Sequence, residues 1–218
     1  MVQESETIKN EIVDQLIWDD TINANDIHVD IIDDTVKLTG KVRSYAAKVA
    51  AERDAYYVTG VTNVENHIQI TSDVQDFTDE EIADNISNLL LWNGNITSND
   101  ISVHVNHGIV VLEGTVDSYW EKRLTEELTR SATGVVDVLN NMDVKLRQPY
   151  VDEDIRDDII RALRRHPVID ENQVGVEVKD GVVTLSGVVA NYQIKHQVHK
   201  TAQFTAGVKD VVDNIVIM

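Results

Sequence analysis

Repetition constrains this chain more than any other feature. Gly40, Gly114 and Gly187 are separated by 74 and 73 residues. Gly60, Gly134 and Gly207 keep the same spacings, and so do Tyr45, Tyr119 and Tyr192. A period carried by whole strings ("TVKLTGKVRSY", "IVVLEGTVDSY", "VVTLSGVVANY") means one supersecondary unit used three times. The units span 5–71, 79–145 and 152–218. The connectors 72–78 and 146–151 are short and polar, with Pro149 in the second, so their reach is limited.

Each unit opens on an acidic amphipathic segment. Ile8, Ile12 and Leu16 recur every four residues, as do Ile82, Ile86 and Leu90, and then Ile155, Ile159 and Leu163. That spacing lines one face of a helix, and carboxylates crowd the first turn, where the helix dipole favours them. A short alternating run follows: Ile27, Val29, Ile31; Ile101, Val103, Val105; Val174, Val176, Val178. Tight turns at "DDT", "HGI" and "DGV" join it to the glycine-bearing strand, with Asp180-Gly181 the strongest hairpin signal. Ser44, Ser118 and Asn191 stand at N-cap positions of a second helix, and Ser118 with Glu121 has capping-box spacing. Gly60, Gly134 and Gly207, each followed by valine, read as left-handed residues ending that helix. A closing strand completes the unit. The predicted fold is α+β: three tandem α-β-β-α-β units, each a small three-stranded mixed sheet covered on one face by two helices.

Gly40 falls on the buried face of its strand, beside Val36, Leu38 and Val42. Glycine weakens a strand unless another backbone must come close or the strand must bend. The second helix of the first unit is rich in alanine (46, 47, 50, 51, 55). The sequence therefore predicts that this helix lies against the strand at Gly40, Gly114 and Gly187, which are structural rather than ligand-contacting.

Composition narrows the function classes. The net charge is −19, which repels nucleic acid backbones at long range; no nucleic-acid partner is expected. The units carry −6, −8 and −3 in chain order, so the third is the least acidic. With no cysteine, disulfides and thiolate chemistry are excluded. The N-terminus lacks the basic head and apolar run of a signal peptide. A cytoplasmic location is expected if Met1 is the native start, and a periplasmic one if a leader has been removed.

The α-β-β-α-β order, the "VxLxGxV" strands at Val36–Val42, Val110–Val116 and Val183–Val189, and the closing strings "GVTNVENHI", "GVVDVLNNM" and "GVKDVVDNI" resemble BON domains, named for bacterial OsmY and nodulation proteins. The chain as a whole is similar to the OsmY-like members with three tandem BON domains. The resemblance implies a non-catalytic module of osmotic or envelope stress. Its implied partners are a phospholipid surface or another protein, with a monovalent cation such as potassium as the alternative. The third unit departs from the others where "RRHPVIDENQV" replaces the Trp-bearing helix ends.

No chemistry-bearing motif emerges from the residues. There is no GxSxG elbow, phosphate-binding glycine loop or EF-hand spacing, so neither catalysis nor a cofactor is expected. His104 with His107, and His196 with His199, lack a third ligand nearby in sequence. The acidic run Asp152, Glu153, Asp154, Asp157 and Asp158 reads first as dipole complementarity. Two features suit binding. Trp18 and Trp92 end the first helix of two units; folding back onto the core is favoured, and an interfacial anchor is the alternative. Arg161, Arg164 and Arg165 cluster late in the first helix of the third unit, which marks it as the unit to approach anionic lipid. Tyr45, Tyr119 and Tyr192 are read as packing residues. The closing strand of each sheet offers an open edge through which copies could self-associate.

Overall fold

The computed structural model describes residues 2–32, 35–71 and 77–217. The "DDT" turn at 33–34 and most of the first connector lie outside the described residues. The first repeat runs α1 (Val2–Trp18), β1 (Ile27–Ile32), β2 (Thr35–Val42), α2 (Tyr45–Tyr57), β3 (Asn63–Ile70). The second runs α3 (Asp79–Trp92), β4 (Ile101–Asn106), β5 (Ile109–Val116), α4 (Tyr119–Ser131), β6 (Asp137–Val144). The third runs α5 (Asp152–Arg164), β7 (Val174–Lys179), β8 (Val182–Val189), α6 (Tyr192–Gln203), β9 (Asp210–Ile217). A single 3₁₀ turn precedes the first strand of each repeat. The α+β repeat predicted from the sequence is thus present three times.

The glycine-bearing strand is central in every sheet, and the sheets are ordered β1-β2-β3, β4-β5-β6 and β7-β8-β9. β1 pairs antiparallel with β2, placing Ile27 opposite Gly40, and β3 pairs parallel with β2, placing Ile68 beside it. Parallel neighbours need a crossover, which α2 supplies. The third repeat repeats this register, with Val174 and Ile215 flanking Gly187.

The chain divides into two compact parts, residues 1–89 with 103–111 and 127–139, and residues 90–102 with 112–126 and 140–218. In the first, Ile12, Leu16, Val36, Leu38, Ala51, Ala55 and Ile68 form the centre of an aliphatic core. In the second, Ile159, Leu163, Val183, Leu185, Val198 and Ala202 do so, joined by Tyr119. The helical positions spaced by four are the buried ones throughout: Ile12, Leu16, Ile82, Ile86, Leu90, Ile155, Ile159 and Leu163. Ser44, Ser118 and Asn191 cap as predicted, accepting from the backbone N–H of Ala47, Glu121 and Ile194. Glu121 does not close its capping box on Ser118. Its carboxylate instead accepts from the N–H of Asp117 at 2.9 Å and from that of Thr97. A complete box stands at Thr78 and Glu81, whose side chains each accept from the other's N–H.

Both glycine sets differ from expectation in mechanism. At Gly40, Gly114 and Gly187 the atom that a side chain would meet belongs not to the helix but to a backbone carbonyl. A Cβ on Gly40 would sit 2.0 Å from the carbonyl oxygen of Asp26, and one on Gly187 would sit 2.0 Å from that of Gln173. The last carbonyl of the 3₁₀ turn therefore occupies the space, and φ is +123° to +126° at all three glycines. The helix approach is made at the second set. A Cβ on Gly134 would meet Ile82 of α3 at 2.7 Å, and one on Gly207 would meet Ile155 of α5 at 2.9 Å. Nor do these glycines end the helix directly: α2 stops at Tyr57, and Val61 N–H bonds back to Val58 C=O. Gly60, with φ +92°, is the third residue of that four-residue turn, where a positive φ is required in type II geometry.

Candidate binding grooves

The first and third repeats each bring the end of their first helix beside the end of their second, and both helices share one apolar core with the sheet. In the first repeat this leaves an open groove of about 450 Å³ lined by Gln15, Trp18, Asp19, Asp20, Arg53, Asp54 and Tyr57. In the third repeat, 147 residues on, an open groove of about 440 Å³ is lined in part by Ala162, Arg165, His166, Lys200, Thr201 and Phe204. These are the same positions. Arg165 replaces Trp18, His166 replaces Asp19, Lys200 stands at Arg53, Thr201 at Asp54 and Phe204 at Tyr57.

The first groove is acidic and internally paired. Arg53 reaches Asp19 at 3.1 Å and Asp54 at 3.2 Å. Asp54 is only 3% exposed, and burial pushes its carboxyl up to about 6 against the pull of the Arg53 guanidinium; the neighbouring Asp19 adds to the rise. Among the described residues its Oδ2 has no hydrogen-bond partner. Asp19 itself is held low, first by the Thr21 hydroxyl.

The third groove is basic. Arg161 pairs with Asp158 one turn earlier, and Arg164 turns away to Glu171 at 2.7 Å. Arg165 and Lys200 are exposed and have no carboxylate partner among the described residues. Of the three arginines singled out from the sequence, Arg161 and Arg165 line the groove and Arg164 does not. His166 Nε2 and Gln197 Nε2 lie 3.1 Å apart on its floor. Phe204, which nothing in the sequence pattern marked, is 54% exposed on its wall.

Trp18 and Trp92 do not fold back onto the core. They are 83% and 84% exposed, and Ile17 and Leu91 beside them are also exposed. The reason is phase: Leu16 and Leu90 take the last buried place on the helical face, so the next two residues project outward. The tip at Trp18 is followed by Asp19 and Asp20, whereas the tip at Trp92 is followed by Asn93, Gly94 and Asn95. Of the three tyrosines, Tyr119 is buried, Tyr45 lies under the Arg130 guanidinium at 5.2 Å, and Tyr192 stacks on His196.

Two polar devices explain residues that the sequence showed only as acidic runs or as part of the closing strings. Asp79 accepts from the N–H groups of His107 and Gly108, and Asp152 from those of Asp180 and Gly181, so the first carboxylate of the helix clamps the hairpin turn. His107 and Asp180 have φ of 50° and 55°, followed by glycines with positive φ, the type I′ geometry a two-residue hairpin needs. Asn66 donates to Lys48 C=O and accepts from Ile68 N–H, and Asn140 does the same with Lys122 and Met142, tying the closing strand to the second helix. His104 and His107 are exposed, and among the described residues no three His, Asp or Glu side chains gather as a metal group. Among them, too, no helix is long and apolar enough to cross a membrane.

Three segments of the chain, residues 4–72, 78–145 and 151–218, match the family described as BON domain. Osmotically-inducible protein Y of Escherichia coli (strain K12) is 30% identical over 135 residues, which make up 60% of this chain and 67% of that protein. Among solved structures, CdsD, a structural protein of the type III secretion system of Chlamydia trachomatis, overlaps 96% of this chain and 91% of its own at 18% identity and a TM-score of 0.29. The PrgH periplasmic domain overlaps 88% and 95% at 12% identity and a TM-score of 0.23. Overlaps this loose carry nothing about function.

Proposed function

The chain belongs to the BON domain family, and from that membership we propose that it is a non-enzymatic binding protein of osmotic or envelope stress that docks on anionic phospholipid surfaces. The observation that carries this reading is the pair of exposed apolar tips, Ile17-Trp18 and Leu91-Trp92. A tryptophan at a helix end partitions to the membrane–water boundary, where its ring is half in apolar surroundings and its N–H stays wet. The two tips are not equal. Asp19 and Asp20 are repelled by an anionic surface, while the residues after Trp92 are neutral, so the second repeat supplies the stronger apolar contact. The third repeat, least acidic and bearing the exposed Arg165 and Lys200, supplies the electrostatic one. Each contact is weak alone, and tethering makes them reinforce one another where geometry permits.

The kinship with an osmotically inducible protein supports the stress setting. Sedimentation with phosphatidylglycerol-containing vesicles tests the docking. Trp92→Ser is expected to weaken binding severalfold, Trp18→Ser less, and the double variant most. Binding indifferent to both substitutions would remove the tips from the account.

A further inference from the structure

The groove of the third repeat is a built cavity whose charge is not explained by folding. The first repeat packs the same two helix ends with Trp18, Asp19 and Asp54 and shares only the cation at Arg53, so the fold does not demand Arg165 there. Arg161 and Arg164 are neutralised by Asp158 and Glu171. Among the described residues Arg165 and Lys200 are left without carboxylate partners, in a chain with twice as many acidic as basic residues. Both cations line one groove with the Gln197 amide, the His166 ring and the exposed Phe204 ring, and its one carboxylate, Asp158, is taken up by Arg161. Ala162 and Ala206 keep the space open.

We propose that this groove binds a phosphate group, free or carried on an ester, through Arg165, Lys200 and Gln197, with the organic part of an ester resting on Phe204. This deepens the phospholipid reading and rests on it only where the phosphate is a lipid headgroup. Two cations without a carboxylate partner among the described residues line one open groove of about 440 Å³, with room for a phosphate and the organic part of an ester, and a guanidinium donates two parallel N–H bonds to phosphate oxygens. The C-terminal ends of α5 and α6 also face this region, each carrying roughly half a negative charge. Arg165 and Lys200 outweigh that contribution, so weak, millimolar affinity is expected. The distant acidic surface is screened over about 8 Å at physiological salt and does not cancel charges at bonding distance. The Thr201 and Thr205 hydroxyls already donate to the carbonyls of Gln197 and Thr201 and do not compete for the site.

The test uses the full chain, with backbone amide NMR and three probes: inorganic phosphate, glycerol 3-phosphate, and phosphatidylglycerol vesicles. Saturable shifts at Arg165, His166, Lys200 and Thr201 are expected with both soluble probes, tighter for the ester. Arg165→Gln with Lys200→Gln should weaken them at least tenfold, while Arg53→Gln in the first repeat should leave them unchanged. Response to vesicles alone, lost in the double variant, would support the site with lipid as its source. Soluble binding without vesicle binding would support the site and sink the membrane reading. Vesicle binding unchanged by the double variant, with no saturable response to soluble phosphate, would sink the groove and leave the tryptophan tips standing.

Discussion

The first and third repeats build the same groove and fill it with opposite charge. Where Trp18, Asp19 and Asp54 stand in one, Arg165, His166 and Thr201 stand in the other. The aliphatic stripe beneath, Ile8, Ile12 and Leu16 in one and Ile155, Ile159 and Leu163 in the other, does not change. The lesson is a division of labour along a single helix. Its buried face is fixed by packing, where large-to-small changes cost several kcal/mol. Its last, outward-facing residues are free to vary because nothing in the core depends on them.

The largest effect should come from the part that the two repeats share. Gly40→Ala and Gly187→Ala each place a methyl group about 2 Å from a backbone carbonyl at a φ that side chains avoid, and neither carbonyl can retreat without breaking the hairpin. Each should cost about 3 kcal/mol or more, and the two costs, read by urea unfolding, should agree within about 1 kcal/mol. Unequal costs would mean that the scaffolds differ beneath the groove.

The next effect should separate the repeats. The Asp54 carboxyl is raised from its ordinary value of 3.8 to about 6. The folded chain therefore holds a proton that the unfolded chain releases, and the stabilisation is full below pH 3.8. It falls as pH rises from about 4 to 6 and is gone above that, a loss of about 3 kcal/mol. Asp54→Asn should flatten that part of the pH–stability curve. Nothing equivalent is expected from Thr201→Ala in the third repeat.

Smaller still, Asp152→Ala frees two N–H donors of the β7–β8 turn. A loss of about 1 kcal/mol is expected from thermal unfolding. The smallest effect should be at the tips. Trp18→Ser and Trp92→Ser should change stability by less than about 0.5 kcal/mol, because side chains this exposed contribute little to the core. A larger loss would mean that the tryptophans pack after all.

These comparisons also show what was legible in the sequence. Helical faces, strand alternation and N-caps could be read because each follows a short local period, and three copies made the reading redundant. The glycines were located correctly, but their reasons were exchanged. Gly40 makes room for the Asp26 carbonyl, which is close only once β1 folds back on β2, and Gly134 makes room for the side chain of Ile82, fifty-two residues earlier in the chain. The direction of Trp18 turned on whether Leu16 or its neighbours closed the core, a matter of helical phase at a frayed end. The groove could not be read at all. Arg165 and Lys200 are thirty-five residues apart, and only the return of the chain through the β7–β8 hairpin into α6 brings them to one groove. Aligning the repeats against one another could have shown a hint of it, since Arg165 falls on Trp18 and His166 on Asp19.

The most direct test of this division is to titrate the full chain with inorganic phosphate and read both grooves in one spectrum. Shifts confined to Arg165, His166, Lys200 and Thr201, with Trp18, Asp19, Arg53 and Asp54 silent, are the predicted result. Equal responses from the two grooves, or none from either with phosphate and with phosphatidylglycerol vesicles alike, would contradict it.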